Sequence, residues 1–211
     1  MIEPMTPPRL TPPSLTPPRP TLIADAAIDL IAEAGLRGLT HRAVDDAAGL
    51  SVGSTSNLAR TRAALLELVL NRIVERETAD HPVFAEGERP RAAAPARALL
   101  AEVGAEVLFQ ALTSGRRLTL ARLELALEAT RRPELRVVYD RLGARFAELG
   151  AALLAAAGST DPEGDARRLV RWCDGVLFNA TAGSGHWHVP MPEELRGEID
   201  RYLTALLGEE G

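Results

Sequence analysis

The stretch from Thr40 to Arg62 reads THRAVDDAAGLSVGSTSNLARTR, and its helix-capping and turn residues predict the local structure. Thr40 is a favourable N-cap for a helix that Gly49 ends after a short run, because glycine can adopt the left-handed conformation that a sharp turn requires. Ser51 then begins a third short helix that runs to about Leu58. Two short helices joined by a tight glycine turn predict a helix-turn-helix.

The third predicted helix carries almost no large apolar side chain. Its sequence from Val52 to Asn57 offers mainly hydroxyl and amide groups. A helix that buries so little apolar surface is poorly explained as part of a core. It is well explained as a helix that lies in the major groove of DNA, where its polar side chains can contact base edges and phosphates. The helix N-terminus at Ser51 adds free amide donors that suit phosphate.

The helices on either side of this pair have clear apolar faces. Thr21 can cap a first helix that Gly35 ends, and Thr61 can cap a fourth helix. Residues 37–62 contain four arginines and two aspartates, so this segment is mildly basic although the whole chain has a net charge of −5.

The remaining chain shows helical periodicity and no strand alternation, so the pattern predicts an all-α fold. Hydrophobic residues make up 46% and aromatic residues 4% of the 211, which favours helices rich in leucine and alanine. The segment His81–Arg91 predicts a loop at a domain seam, and Asp161-Pro162-Glu163 predicts a helix start. The expected regions are an arm at 1–20, a helix-turn-helix domain at 21–78 and a larger helical domain at 92–208.

The first 20 residues hold eight of the 15 prolines, which exclude a helix and predict an extended or disordered arm. A solvated tail is one interpretation. The other is an arm whose Arg9 and Arg19 reach DNA phosphates or a minor groove.

Several function classes lack their sequence signatures. Cys173 is the one cysteine, and it is expected to be inert packing on an apolar helix face. The His186-Trp187-His188 run has no cysteine or carboxylate at ligand spacing, so no metal and no cofactor are expected. Neither a membrane span nor a secretion signal is visible, which predicts a cytoplasmic protein without a membrane partner. No nucleophile elbow, phosphate loop or catalytic carboxylate pair indicates an enzyme.

Residues 21–70 resemble the DNA-binding region of the TetR family of bacterial transcriptional regulators. The resemblance rests on the spacing of these matching residues: Ala26-Ala27, Gly35, Thr40, Val44, Ala47 to Gly53, Thr61-Arg62 and Leu65. It implies an N-terminal three-helix helix-turn-helix domain, followed by a larger C-terminal helical domain for ligand binding and dimerisation.

The resemblance also implies roles for single residues. Thr40 and Arg42, at the start of the second helix, would contact phosphate, while Val52, Ser54, Thr55 and Ser56 would face bases. Asn57, Arg60 and Arg62 would hold flanking phosphates. The chain departs from the family pattern at Ser56, where a tyrosine is usual, at Leu58, and at Ala59, where a phenylalanine is usual.

In the C-terminal domain the resemblance implies an effector chamber and a dimer formed by the helices near 162–182 and 192–207. Glu124, Glu128 and Arg122 could anchor a polar ligand, although such residues more often face water. Candidate chamber walls are the large or amide side chains at helical spacing, each of which could instead be ordinary core: Phe109, Tyr139, Phe146, Trp172, Phe178 and Asn179.

The sequence therefore predicts a homodimeric, ligand-responsive regulator that binds a double-stranded DNA operator. A repressor released by an unidentified small-molecule effector is the favoured form. The alternative is a helical small-molecule-binding protein that has lost sequence-specific DNA binding, which the unusual Leu58 and Ala59 make conceivable.

Overall fold

The computed structural model describes residues 17–79 and 93–208. Within those ranges every regular element is an α-helix, which confirms the predicted all-α class. The helices are α1 (Arg19–Gly38), α2 (His41–Ala47), α3 (Ser54–Leu58), α4 (Arg62–Ala79), α5 (Ala93–Leu112), α6 (Arg116–Ala129), α7 (Pro133–Ala156), α8 (Pro162–Thr181) and α9 (Pro192–Leu207).

Helix α1 begins earlier than the sequence pattern predicted. Pro18 is its N-cap and Pro20 lies in its first turn, so Thr21 is inside the helix rather than its cap. Proline is tolerated there because the first amides of a helix have no intrahelical acceptor. Of the predicted arm at 1–20, residues 1–16 lie outside the described residues. At the other end, the break at Gly35 is confirmed by its φ of 64°.

The third helix is shorter than predicted. It begins at Ser54 rather than Ser51 and has five residues. Gly53 has a φ of 92°, a left-handed conformation that only glycine adopts readily, so the helical path cannot start before it. Gly49 has a φ of 65° and ends the α2 region as predicted.

A first core joins the helix-turn-helix to the C-terminal region. Ile23 and Ile31 of α1, Leu66 of α4 and Leu125 of α6 are all fully buried in it. Arg117 on α6 reinforces the junction, since it donates to Asp29 at 2.8 Å and also pairs with Glu33 of α1. The predicted seam at His81–Arg91 lies outside the described residues, and the division into domains remains a proposal.

A second core lies further along the chain, between α5, α7, α8 and α9. Leu108, Leu154, Leu195 and Leu203 are buried within it. Asp161 caps α8 as predicted, because its carboxylate accepts the Gly164 amide at 3.1 Å. Across residues 17–79 and 93–208, no helix is long and apolar enough to span a bilayer.

The shared first core predicts the effect of Leu125→Ala. Leu125 has no exposed surface, so truncation removes contacts between α6 and the N-terminal helices and leaves a cavity. The free energy of unfolding should fall by about 2–5 kcal/mol, measured by urea denaturation of the purified protein.

Leu127→Ala is the matched control, because Leu127 lies on the same helix and is 62% exposed. Its change in unfolding free energy should stay within about 0.5 kcal/mol. Equal losses in the two variants would contradict the assignment of Leu125 to a shared core.

Candidate nucleic-acid interface and cavity

The carboxylate of Asp45 holds the turn between α2 and α3. Its two oxygens accept the Gly53 amide at 2.7 Å, the Thr55 amide at 2.7 Å and the Thr55 hydroxyl at 2.6 Å. Asp45 itself is 1% exposed. One buried carboxylate thus satisfies the free amides at the start of α3 and fixes the orientation of that helix on α2.

These hydrogen bonds decide the ionisation of Asp45. Burial alone would raise the pKa of the carboxyl, but the three hydrogen bonds from Thr55 and Gly53, with the nearby His41, outweigh it and lower the pKa below 3.8. Asp45 is therefore a carboxylate at neutral pH and is part of the fold rather than a surface charge. Its role was missed in the sequence because Asp45 and Asp46 look equivalent there.

Two residues expected to face bases are instead buried, which corrects the sequence-based assignment. Thr55 has no exposed surface, and its hydroxyl is committed to Asp45. Ser54 is 4% exposed, and its hydroxyl lies 3.1 Å from that of Ser51. Both face inward because α3 starts at Ser54, which turns its first residues toward α2.

The outer side of the turn and of α3 is exposed. Val52 is 79% exposed, which is unusual for a large apolar residue, and Leu58 is 45% exposed. The exposed residues that were predicted to contact DNA form the surface called here the reading surface: Thr40, Arg42, Ser51, Val52, Ser56, Asn57 and Arg60.

Arg62 has a structural role that the sequence did not reveal. Its guanidinium donates to the Leu39 carbonyl, directly after α1, at 2.7 Å and to the Leu36 carbonyl in the last turn of α1. Two of its donors are therefore occupied within the protein. This position ties the first residue of α4 to the end of α1, so Arg62 supports the interface more than it extends from it.

Two further contacts seat the helix-turn-helix on its neighbours. The Nε2 atom of His41 lies 2.7 Å from the carbonyl oxygen of Ala59, and Ala59 is buried in the first core. The small side chain at 59 therefore still packs, although the sequence departs from the family pattern there. The Thr61 hydroxyl accepts the Ala64 amide at 3.1 Å, which confirms Thr61 as a cap.

A cavity of about 270 Å³ lies between α5, α6, α7 and α8. Its wall is mainly aliphatic, with Leu100, Val107 and Leu153 among the lining residues. Such a volume is near the lower end of the roughly 300–1,000 Å³ typical of small-molecule sites. The last turns of α4 reach this cavity through Glu77.

Three charged side chains gather at the cavity wall. The Nε atom of Arg122 lies 3.6 Å from Oε1 of Glu77, and its Nη2 atom lies 3.5 Å from Oδ1 of Asp174. Burial raises the pKa of Glu77 above its ordinary value, against the opposing charge of Arg122 and with a contribution from Asp174. Glu77 and Asp174 were not predicted, because on their own helices they look like solvated charges.

Only part of the predicted effector wall lines this cavity. Tyr139 and Phe146 do, in agreement with the sequence-based assignment. Phe109 and Trp172 instead pack on the second core, where Trp172 stacks on Tyr202 with ring centroids 5.7 Å apart.

Phe178 and Asn179 also fall outside the cavity lining. Both are exposed near the end of α8, and Phe178 is 55% exposed. Helical spacing alone does not say which side of an amphipathic helix is inward when two apolar faces exist, so these two residues were misassigned.

The other singled-out residues lack catalytic or metal-binding geometry. Cys173 lines the cavity, and burial raises its pKa to about 12, so it stays a neutral thiol as expected of inert packing. The Nε2 atom of His188 lies 3.6 Å from a Glu194 oxygen. No cluster of three histidine, cysteine or acidic residues suited to a metal occurs in the part of the chain that the structure describes.

Comparison with known proteins places these features in context. The Tetracyclin repressor-like C-terminal domain model matches residues 95–209. A member of the TetR family from Streptomyces coelicolor A3 is 33% identical, with 88% of this chain and 98% of that chain covered and a TM-score of 0.65. No curated protein sequence matches the chain.

Two further solved structures are similar. The multidrug binding protein EbrR, complexed with imidazole, is 30% identical over 93% of this chain and 98% of its own, with a TM-score of 0.63. GusR of Salmonella enterica shares the fold at 21% identity and a TM-score of 0.69, with 94% of this chain and 98% of that chain covered.

The hydrogen bonds accepted by Asp45 predict that Asp45→Asn destabilises the folded protein. The amide group replaces one acceptor oxygen with a donor that faces other donors. The free energy of unfolding should fall by about 2–3 kcal/mol at neutral pH, measured by urea denaturation. Asp46→Asn, at an exposed position on the same helix, is the control and should change it by no more than about 0.5 kcal/mol.

Wild type and Asp45→Asn can also be compared as a function of pH. Because the pKa of Asp45 is lowered on folding, its stabilisation is complete above the unfolded value of 3.8 and is lost as the pH falls through the folded value. The stability gap between wild type and Asp45→Asn should therefore narrow in acid. A gap that is constant or widens below pH 3.8 would contradict an ionised Asp45.

Proposed function

The chain belongs to the TetR family of transcriptional regulators, and from that premise we propose that it binds an operator as a homodimer and leaves it when a small molecule fills the cavity. The observation that carries the proposal is the reading surface, where Val52, Ser56 and Asn57 face outward on a helix that buried Asp45 fixes in place. We propose a regulator rather than an enzyme, because the exposed side chains of α3 are suited to contact with DNA.

The reading surface suits a major groove by chemistry. The Asn57 amide and the Ser56 hydroxyl can hydrogen-bond base edges or phosphates, while Val52 offers an apolar contact for a thymine methyl group. Exposed Arg42 and Arg60 supply cations for phosphate. Arg42 is only weakly compensated, since Asp46 lies 4.0 Å away and both side chains are more than half exposed.

A homodimer is supported by the exposed apolar residues at the end of α8 and in the loop that follows it. Phe178, Trp187 and Met191 are each more than half exposed. Contiguous exposed apolar patches mark interaction surfaces, and we propose that these three side chains belong to one. A second copy also doubles the contacts of a short reading helix, because two half-sites one duplex turn apart mirror the two-fold symmetry.

Helix α4 offers the route from cavity to DNA. Arg62 at its start is bonded to the turn after α1, and Glu77 near its end lines the cavity. A ligand that displaces Glu77 would therefore move a helix packed directly on the helix-turn-helix. A shift of this kind changes the spacing of two reading helices and lowers the affinity for an operator of fixed half-site spacing. The similar protein EbrR, seen with imidazole, proflavin or ethidium, supports a small organic molecule as effector.

The DNA interface is tested first by selection from a random duplex library with the purified protein at moderate salt. We expect a palindromic site whose half-sites are about 10 base pairs apart, centre to centre. Asn57→Ala should then weaken binding to the selected duplex by about 1–3 kcal/mol, measured by fluorescence anisotropy.

The matched control is Asn71→Ala, an exposed asparagine on α4, which should bind as wild type does. Recovery of no enriched sequence would overturn the regulator and favour a helical small-molecule-binding protein without DNA recognition. Equal affinity of wild type and Asn57→Ala would show that α3 is not the reading element.

The dimer surface is tested with Phe178→Glu. A charge placed in a buried apolar interface costs several kcal/mol, so this variant should shift the protein toward monomer in sedimentation velocity. Val137→Glu is the control, because Val137 is 59% exposed on α7 and should leave the dimer intact. A wild type that sediments as a monomer, or dissociation by both variants alike, would contradict this surface.

A further inference from the structure

The cavity wall is mainly apolar, and the charged side chains that line it among the described residues are Glu77 of α4, Arg122 of α6 and Asp174 of α8. We refer to these three residues as the charged triad. They bring two carboxyl groups and one guanidinium to a largely aliphatic site, with the Asp174 side chain 58% exposed. Cys173 and Tyr139 beside them stay neutral at physiological pH, since burial raises the pKa of both.

The triad is incompletely paired. Its two ion pairs measure 3.6 and 3.5 Å, longer than hydrogen bonds between charged groups. The Oε2 atom of Glu77 and the Nε atom of Arg122 are buried, yet among the described residues neither has a hydrogen-bond partner. A buried charged group without a partner costs free energy, so each of these atoms favours a ligand that supplies one.

From this geometry we infer that the effector is a small lipophilic organic cation, with an ammonium or amidinium group that binds Glu77 and takes the place of Arg122 there. The inference rests on the proposed function, since it names the class of molecule that fills the same cavity. Glu77 is the proposed contact for the cation because it is the residue of α4 that lines the cavity.

The balance of charge favours a cation over an anion. Arg122 is the one basic side chain lining the cavity among the described residues, and Glu77 and Asp174 already flank it. An incoming carboxylate would have to compete with both acids for that guanidinium. An incoming ammonium instead meets the unpartnered Oε2 atom of Glu77, and it is attracted by both carboxyl groups.

The remaining wall defines the rest of the ligand. Leu100, Val107, Leu118 and Leu153 contribute aliphatic surface, and Phe146 adds an aromatic ring. Gln110, on α5, is one of the neutral polar side chains in the lining. A cavity of about 270 Å³ therefore fits a compact apolar body that carries one positive group.

Binding of such a cation has a consequence for the N-terminal helices. Glu77 would exchange its contact with Arg122 of α6 for a contact with the ligand, which loosens the ion pair between α4 and α6 at the cavity. Since α4 packs on α1 through the first core, the reading surface would follow α4. Replacement of Arg122 by the ligand at Glu77 would thus both bind the ligand and lower the affinity for the operator.

The experiment uses three isosteric probes on the full-length protein: phenylbutylamine, phenylbutanol and phenylbutyrate. Isothermal titration calorimetry should show that the amine binds at least about tenfold more tightly than either of the others. Glu77→Gln keeps the side-chain size and removes the charge, so it should lower the amine affinity about 10- to 100-fold, as expected for one charge-assisted hydrogen bond. Its affinity for the alcohol should change little.

Glu75→Gln is the matched control. Glu75 lies on the same helix, 64% of its side chain is exposed, and it pairs with Arg72 at 3.3 Å, away from the cavity lining. This variant should bind the amine as wild type does. A second readout is pH: wild-type affinity for the amine should fall as Glu77 is protonated in acid, whereas the affinity of Glu77→Gln should not.

Three results would overturn the inference. Tighter binding of phenylbutyrate would assign the site to anions through Arg122, and equal amine affinity in wild type and Glu77→Gln would remove Glu77 from the site. Failure of all three probes to bind at millimolar concentration would also exclude it. Calorimetry needs no DNA, so these results stand apart from the search for an operator. An operator found without amine binding would leave the regulator intact and refute only the cation.

Discussion

Helix α4 is held at both ends by polar groups that belong to different parts of the molecule. At its start, Arg62 donates to carbonyls at the end of α1 and directly after it, and near its far end Glu77 lies 3.6 Å from Arg122 at the cavity wall. The apolar face between them is buried in the first core. Because these contacts belong to one helix, we expect a displacement of α4 at the cavity to reach the helices packed on its start.

In the helix-turn-helix, the residues that hold the turn together are different from the residues of the reading surface. Asp45 and Thr55 hydrogen-bond to each other inside the turn, while the side chains of Val52, Ser56 and Asn57 are exposed outside it. We therefore expect substitutions on the outer side to leave the motif folded, so that their effect on DNA binding can be measured separately. The first core extends this logic, because α6 supports α1 through Leu125 and through the ion pairs of Arg117.

Local patterns predicted the helices, the Gly49 turn and the caps at Thr40, Thr61 and Asp161, because each depends on residues a few positions apart. What periodicity could not supply were facts that depend on distant residues. Asp45 and Asp46 look alike until α3 docks, and Glu77 becomes a cavity residue only when α6 and α8 pack beside it. The inward turn of Ser54 and Thr55, and the outward turn of Phe178, likewise follow from packing between helices rather than from spacing within one.

The most direct test of coupling between cavity and reading surface is the distance between the two α3 helices of a dimer. A nitroxide on Ser56→Cys reports it by pulsed electron spin resonance, since Cys173 is only partly exposed, has a pKa raised to about 12 and should resist labelling. The account predicts a distance population near 34–36 Å, one duplex turn, in the ligand-free protein. Saturating phenylbutylamine should move that population by several ångström. An identical distribution with and without the amine, despite binding, would contradict the coupling.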